Sequence, residues 1–191
     1  MAIVAGMPHD GMDNPAVSRL TAMPAASALA ALGPVLCMHR PEHGNELVGW
    51  SHAVHVESRV RMDSEDVIES LRFFDDAGRC CWRLYLLPES DFFAWDRLLS
   101  RLPGGCDNEL RSGIAERLWR RLADTLHGDA WHLSAVCLHA IRVGARVCMA
   151  ASAASLSAPG IERARRIARI ENAGPCHLLS SGGSSPSRMP A

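Results

Sequence analysis

The chain has 191 residues, enough to bury a core in one domain or two small ones. Hydrophobic residues make up 48% and charged residues 21%, with a net charge of -1, so no basic excess points to nucleic acid and no acidic excess to a long solvated tail. No stretch is apolar for the ~18 residues that a membrane span needs, and Met1 to Met7 lacks the cationic start of a secretory signal, so a cytoplasmic protein without a membrane span is expected.

Gly6, Pro8, Gly11 and Pro15 make residues 1–15 a flexible arm. Ala16 to Leu32 is alanine-rich and helical in character; Pro24 splits it into two short helices, and Gly33-Pro34 ends it. Val35 to His39 is a strand, and Arg40 to Asn45 a turn. Val48, Trp50, His52, Val54 and Val56 fall at even spacing, which predicts a strand over Leu47 to Arg61. Ile68 to Phe74 and Arg79 to Leu87 form a hairpin around Asp75-Asp76-Ala77-Gly78. Cys81, Arg83, Tyr85 and Leu87 are expected on one face of its return strand, with Trp82, Leu84 and Leu86 on the other.

Ser90 is the expected N-cap of a helix to about Leu102, with an inward stripe of Phe92, Trp95, Leu98, Leu99 and Leu102. A second helix follows from Asp107 or Asn108 to Leu126. Trp131 to Arg142 and Arg146 to Ala151 read as a hairpin around Gly144, and Ser157, Pro159 and Glu162 open a last helix to about Asn172. That helix turns Ile161, Ala164, Ile167, Ala168 and Ile170 inward and carries Arg163, Arg165, Arg166 and Arg169 elsewhere, read as a solvated face. Residues 179–191 are a Ser/Gly-rich tail expected to be disordered. The expected fold is α+β, an antiparallel β-sheet built from hairpins with flanking helices, as a single domain over 16–178.

Two segments resemble the bacterial haemin-degrading and haem-carrier family of the HemS, ChuX and HutX type. The first is Leu32-Gly33-Pro34-Val35 followed by Arg40-Pro41-Glu42. The second is Glu69-Ser70-Leu71-Arg72-Phe73-Phe74-Asp75-Asp76-Ala77-Gly78-Arg79, then Leu84-Tyr85-Leu86, Ser90-Asp91 and Ala94-Trp95-Asp96-Arg97-Leu98-Leu99. The likeness covers about residues 31–102. Pro41 stands where the family turn carries Asn, and the family's axial histidine has no counterpart that can be placed on this chain. The resemblance implies a haem-binding protein of uptake, trafficking or delivery for degradation, a carrier more than an enzyme. Its implied partners are haem and a haem transporter or haem-degrading enzyme. Related carriers are often dimers, and an exposed hairpin edge would allow a homodimer here.

Haem needs an axial donor for iron and cations for its propionates. His39, Arg40, His43, His52 and His55 cluster within seventeen residues and form the candidate set, with Arg40 as the propionate contact. His52 and His55, three apart on one strand, would face opposite sides. Tyr85, the one tyrosine, reads as a core residue before a phenolate ligand. Two other readings stay open: a haem-free interaction or regulatory protein on the same scaffold, and a zinc or thiol site built from Cys37-x-His39 and Cys137-x-His139 should their strands meet. The seven cysteines lack a framework spacing and read mainly as reduced core thiols.

Overall fold

Alternating apolar and polar residues on either side of Gly78 build the middle of the sheet. The computed structural model of the protein describes residues 23–40, 45–63, 66–102, 131–174, 176–177 and 179–180. β3 (Asp66–Phe74) turns into β4 (Cys80–Tyr85) through Gly78, whose φ of +73° a residue with a Cβ rarely adopts. The Asp75 carboxylate closes the turn by accepting from the Arg79 backbone N–H at 2.8 Å.

β2 (His55–Asp63) pairs along its length with β3; β1 (Pro34–His39) lies between β4 and β5 (His132–Val143). β6 (Arg146–Ala153) returns from β5 around Gly144, at φ +62°. These pairings are all antiparallel, in the order β2-β3-β4-β1-β5-β6. β8 (Cys176–His177) adds a short parallel ladder to β5, and β9 (Leu179–Ser180) pairs with β7 (Ser155–Leu156). The α+β architecture with antiparallel hairpins is therefore as expected.

Side chains alternate across the sheet and give it two apolar faces. α1 (Ala26–Ala30), α2 (Val48–His52) and α3 (Phe92–Leu99) belong to one face, with Leu29, Cys37, Phe73, Trp82, Leu84 and Trp95 buried there. α4 (Ala158–Ile170) covers the other, where Leu36, Met38, Tyr85 and Leu133 meet Ala164 and Ile167. Ser157 caps α4 by accepting from the Gly160 N–H at 3.3 Å, and the Glu89 carboxylate accepts in turn from the Ser157 N–H at 2.9 Å.

Four expectations need correction. The strand predicted over Leu47 to Arg61 is α2 followed by β2, which begins only at His55. The even spacing of Val48, Trp50 and His52 is overridden by tertiary contact: Trp50 packs on Phe73 and Trp82 at ring distances of 5.8 and 5.9 Å, and the Trp82 indole donates to the Glu46 carbonyl at 2.6 Å. The cap of α3 is Asp91, accepting from Ala94 N at 2.9 Å, because the Ser90 hydroxyl is held between the Pro34 carbonyl and the Leu87 N–H. Phe92 is exposed rather than inward. A β-bulge at Phe73/Phe74 also shifts the start of β4, so Cys81 leaves the Arg83–Tyr85 face, and Cys80 joins the core cluster of that face. The predicted arm and the helix from Asp107 to Leu126 lie outside the described residues.

Candidate functional site

The sheet divides the predicted histidine–arginine window. His39 ends β1 on the α2 side, opposite Trp82 in register. Its neighbour Arg40 lies over the Trp131 ring, with Trp131 in the core cluster of the α4 face. His52 is the exposed last residue of α2, not a strand residue. His55 opens β2 and stacks on Phe74 at 5.8 Å, its Nε2 3.2 Å from Glu57. Val56 is buried on the helix α1–α3 side, so His55 faces the other way. β3 and β4 separate β2 from β1, a lateral distance of about 14 Å at the usual strand spacing. His39 and His55 thus cannot share one ligand face, and His43 lies outside the described residues.

The register of β1 with β5 supplies a different neighbour. His39 stands opposite His132, and the two rings meet edge to face with centroids 6.0 Å apart. Ser134 Oγ is 3.5 Å from His39 Nε2. His39 is 9% exposed, whereas His132 is half-buried and more open to solvent. Two imidazoles therefore meet at one end of the central strands. His132 did not emerge from the sequence, because a lone histidine at the start of a strand becomes significant only through an antiparallel register spanning over ninety residues.

The reverse side of that end carries cations. The Arg40 guanidinium lies 4.9 Å from the Trp131 ring centroid and the Arg83 guanidinium 4.5 Å from it. Arg83 also donates to Glu171 at 2.7 Å, while Arg72 stands 3.9 Å from the same carboxylate. One carboxylate serves two guanidiniums there. Burial, and then the charges of Arg83 and Arg59, lower the Arg72 guanidinium from its ordinary range against the opposing charge of Glu171. Trp131 and Arg83 are further residues that the sequence alone did not single out.

The proposed thiol–imidazole pairs do not assemble. β1 and β5 do meet, but Cys37 faces Ser134 while Cys137 faces Pro34. Cys37 is on the helix α1–α3 face and Cys137 packs on the α4 face. Among the described residues no group of three or more His, Cys, Asp or Glu is arranged to hold a metal ion. Burial raises the Cys37 thiol well above its usual range and pushes Cys81 up to about 12, so both stay protonated core groups. Tyr85 is 1% exposed and donates to Met38 Sδ at 3.6 Å; it too is a core residue.

Two grooves open along α4. One, of about 650 Å³, is lined by Asp66, Pro88, Pro159, Arg163, Arg166 and neighbouring residues; the other, of about 470 Å³, by Glu162, Arg165, Ala168 and Arg169. Neither contains a histidine. No helix among the described residues is long and apolar enough to cross a membrane.

No protein-family model matches the chain, and no curated protein matches it. Among solved structures, holo-PhuS, a heme-binding protein from Pseudomonas aeruginosa, aligns over 42% of this chain with 21% identity and a TM-score of 0.32. The alignment spans 31% of that protein's length.

Proposed function

We propose that the chain is a haem-binding carrier that holds haem at the end of β1 and β5, with His39 and His132 as the imidazole pair. The observation that carries the reading is the juxtaposition of two imidazoles, 6.0 Å apart, at one end of the central strands. Imidazole suits iron. The donor set fits the group in this respect; the described residues themselves form no apolar slot around it. The resemblance of residues 31–102 to haem-utilisation proteins supports the same reading.

His132, the more open of the two imidazoles, is the proposed iron donor. His39 packs against its ring from the strand interior. Arg83, fixed by Glu171, holds the Trp131 ring from the core side, and Arg40 meets the ring as well.

A haemin titration followed by Soret absorbance tests the reading. Wild type is expected to saturate at one haem per chain. The His39→Ala/His132→Ala variant should lose at least ten-fold in affinity, and the His52→Ala/His55→Ala variant should titrate as wild type. Undiminished binding by the first variant, or no saturable shift in wild type, would refute the assignment.

A further inference from the structure

The arginines of α4, expected only as a solvated face, line a groove in the structure. Between Ala158 and Ile170 the helix carries four arginines and one carboxylate, Glu162. Arg163, Arg166 and Arg169 follow one another at a spacing of three, and Arg165 and Arg169 are four apart, so like charges are neighbours on the helix surface. That repulsion is relieved when negative charge is brought to the same surface. In a chain of net charge -1 the positive excess is local, not a property of the whole surface.

The groove runs the length of the helix. On α4 it is lined by Pro159, Glu162, Arg163, Arg166, Arg169 and Ile170, which recur at intervals of three and four and so share one face. From Pro159 to Ile170 the helix rises about 17 Å. Pro88 and Asp66 form the opposite wall. Arg163 fixes that wall, because its guanidinium donates to the Asp66 carboxylate and to the Val67 carbonyl oxygen. Arg169 pairs with Glu162 at 3.4 Å, with the two side chains 73% and 66% exposed. A pair that open to water is weak, and Arg169 can exchange it for another carboxylate. The second groove shares Glu162 and Arg169 with the first and adds Arg165. Across both, four arginines face two carboxylates, Asp66 and Glu162.

The order of chemistry along the groove selects its occupant. Pro159 makes one end apolar, with Pro88 beside it because the neighbouring Glu89 accepts from the Ser157 N–H. Ile170 makes the other end apolar, and the guanidiniums lie between. A small anion would meet the cations and leave both apolar ends bare. The span of about 17 Å matches five or six residues of extended chain at about 3.3 Å each. A guanidinium offers a carboxylate two parallel N–H donors.

We propose that the α4 groove docks an acidic segment of a partner protein, an extended stretch whose carboxylates meet Arg166 and Arg169 and whose flanking apolar residues rest on Pro159 and Ile170. The groove shares no residue with the haem site of the preceding subsection, so either reading can fail without the other.

Fluorescence anisotropy tests it with a labelled peptide of about six residues, leucine at both ends and glutamates between. Wild type should bind it saturably, one per chain, and less tightly as salt rises. Exchanging the glutamates for glutamines should abolish binding, and exchanging the leucines for glycines should weaken it at least ten-fold. Arg166→Glu/Arg169→Glu should also lose at least ten-fold. Arg97→Glu/Arg101→Glu, the same change of charge on exposed arginines of α3 and its end, should bind as wild type. Circular dichroism reports the fold of each variant, and the peptide controls test the proposal on the wild-type chain alone. Absence of saturable binding by wild type overturns the proposal. Equal binding of the glycine-ended peptide does so too, as does an equal loss in both charge variants. Displacement of the peptide by inorganic phosphate at the peptide's own concentration would make the groove a site for a free anion and overturn it as well.

Discussion

Tyr85 is the chain's one tyrosine, so its phenolate absorbance can be followed without interference. Burial, and secondarily the Glu171 carboxylate, raise its phenol well above the ordinary range against the opposing charges of Arg83 and Arg72. Free tyrosine titrates near pH 10. The folded chain should therefore show no phenolate at about pH 10, and phenolate should appear only as the protein unfolds. The sign follows from linkage: a phenol raised in the folded state contributes stability below its unfolded pKa and loses it as pH rises beyond. An ordinary titration curve in the folded protein would contradict this placement. The core position of Tyr85 was legible in the alternation of Leu84, Tyr85 and Leu86. The role of Gly49 was not. A Cβ there would stand 2.3 Å from the Cys81 carbonyl oxygen, and that close approach joins residues 32 apart in sequence.

Among the elements, legibility followed length and local punctuation. α4 announced itself through Ser157, Pro159 and an apolar stripe along a helix of thirteen residues, and its cap is the predicted one. Ser157→Ala should cost about 1 kcal/mol, since it removes the cap and one partner of Glu89. Chemical denaturation measures this directly; an unchanged midpoint would mean that the cap contributes nothing. α2 was illegible for the opposite reason. Five residues are too few to display a helical period, and Val48, Trp50 and His52 match a strand equally well. What makes the segment helical is the pocket formed by Phe73 and Trp82, which no local pattern reveals. The one-residue error in the cap of α3 has a similar origin, because the Ser90 hydroxyl is claimed by Pro34, 56 residues away.

At the scale of the molecule, the two ends of the sheet differ in chemistry. One carries His39, His132, Arg40, Trp131 and Arg83; the other carries the projecting hairpins with Val60, Met62, Val67, Ile141, Val143 and Val147 exposed. The antiparallel α+β class was legible because hairpin turns at Gly78 and Gly144 fix local pairing. Of the pair proposed to hold haem, His39 belongs to the window legible in the sequence, His52 and His55 stand apart from it, and His132 entered only through the β1–β5 register. Clustering in sequence did not translate into clustering in space, because a helix and two intervening strands separate the members of the window.

The central claim is that one end of the β1–β5 pair receives haem. Its most direct test is a map of amide chemical shifts on adding the diamagnetic gallium complex of the same porphyrin. The account predicts perturbations centred on His39, Arg40, Trp131 and His132. Perturbations confined to the α4 groove around Arg163 and Arg166, with the β1–β5 end unmoved, would contradict it.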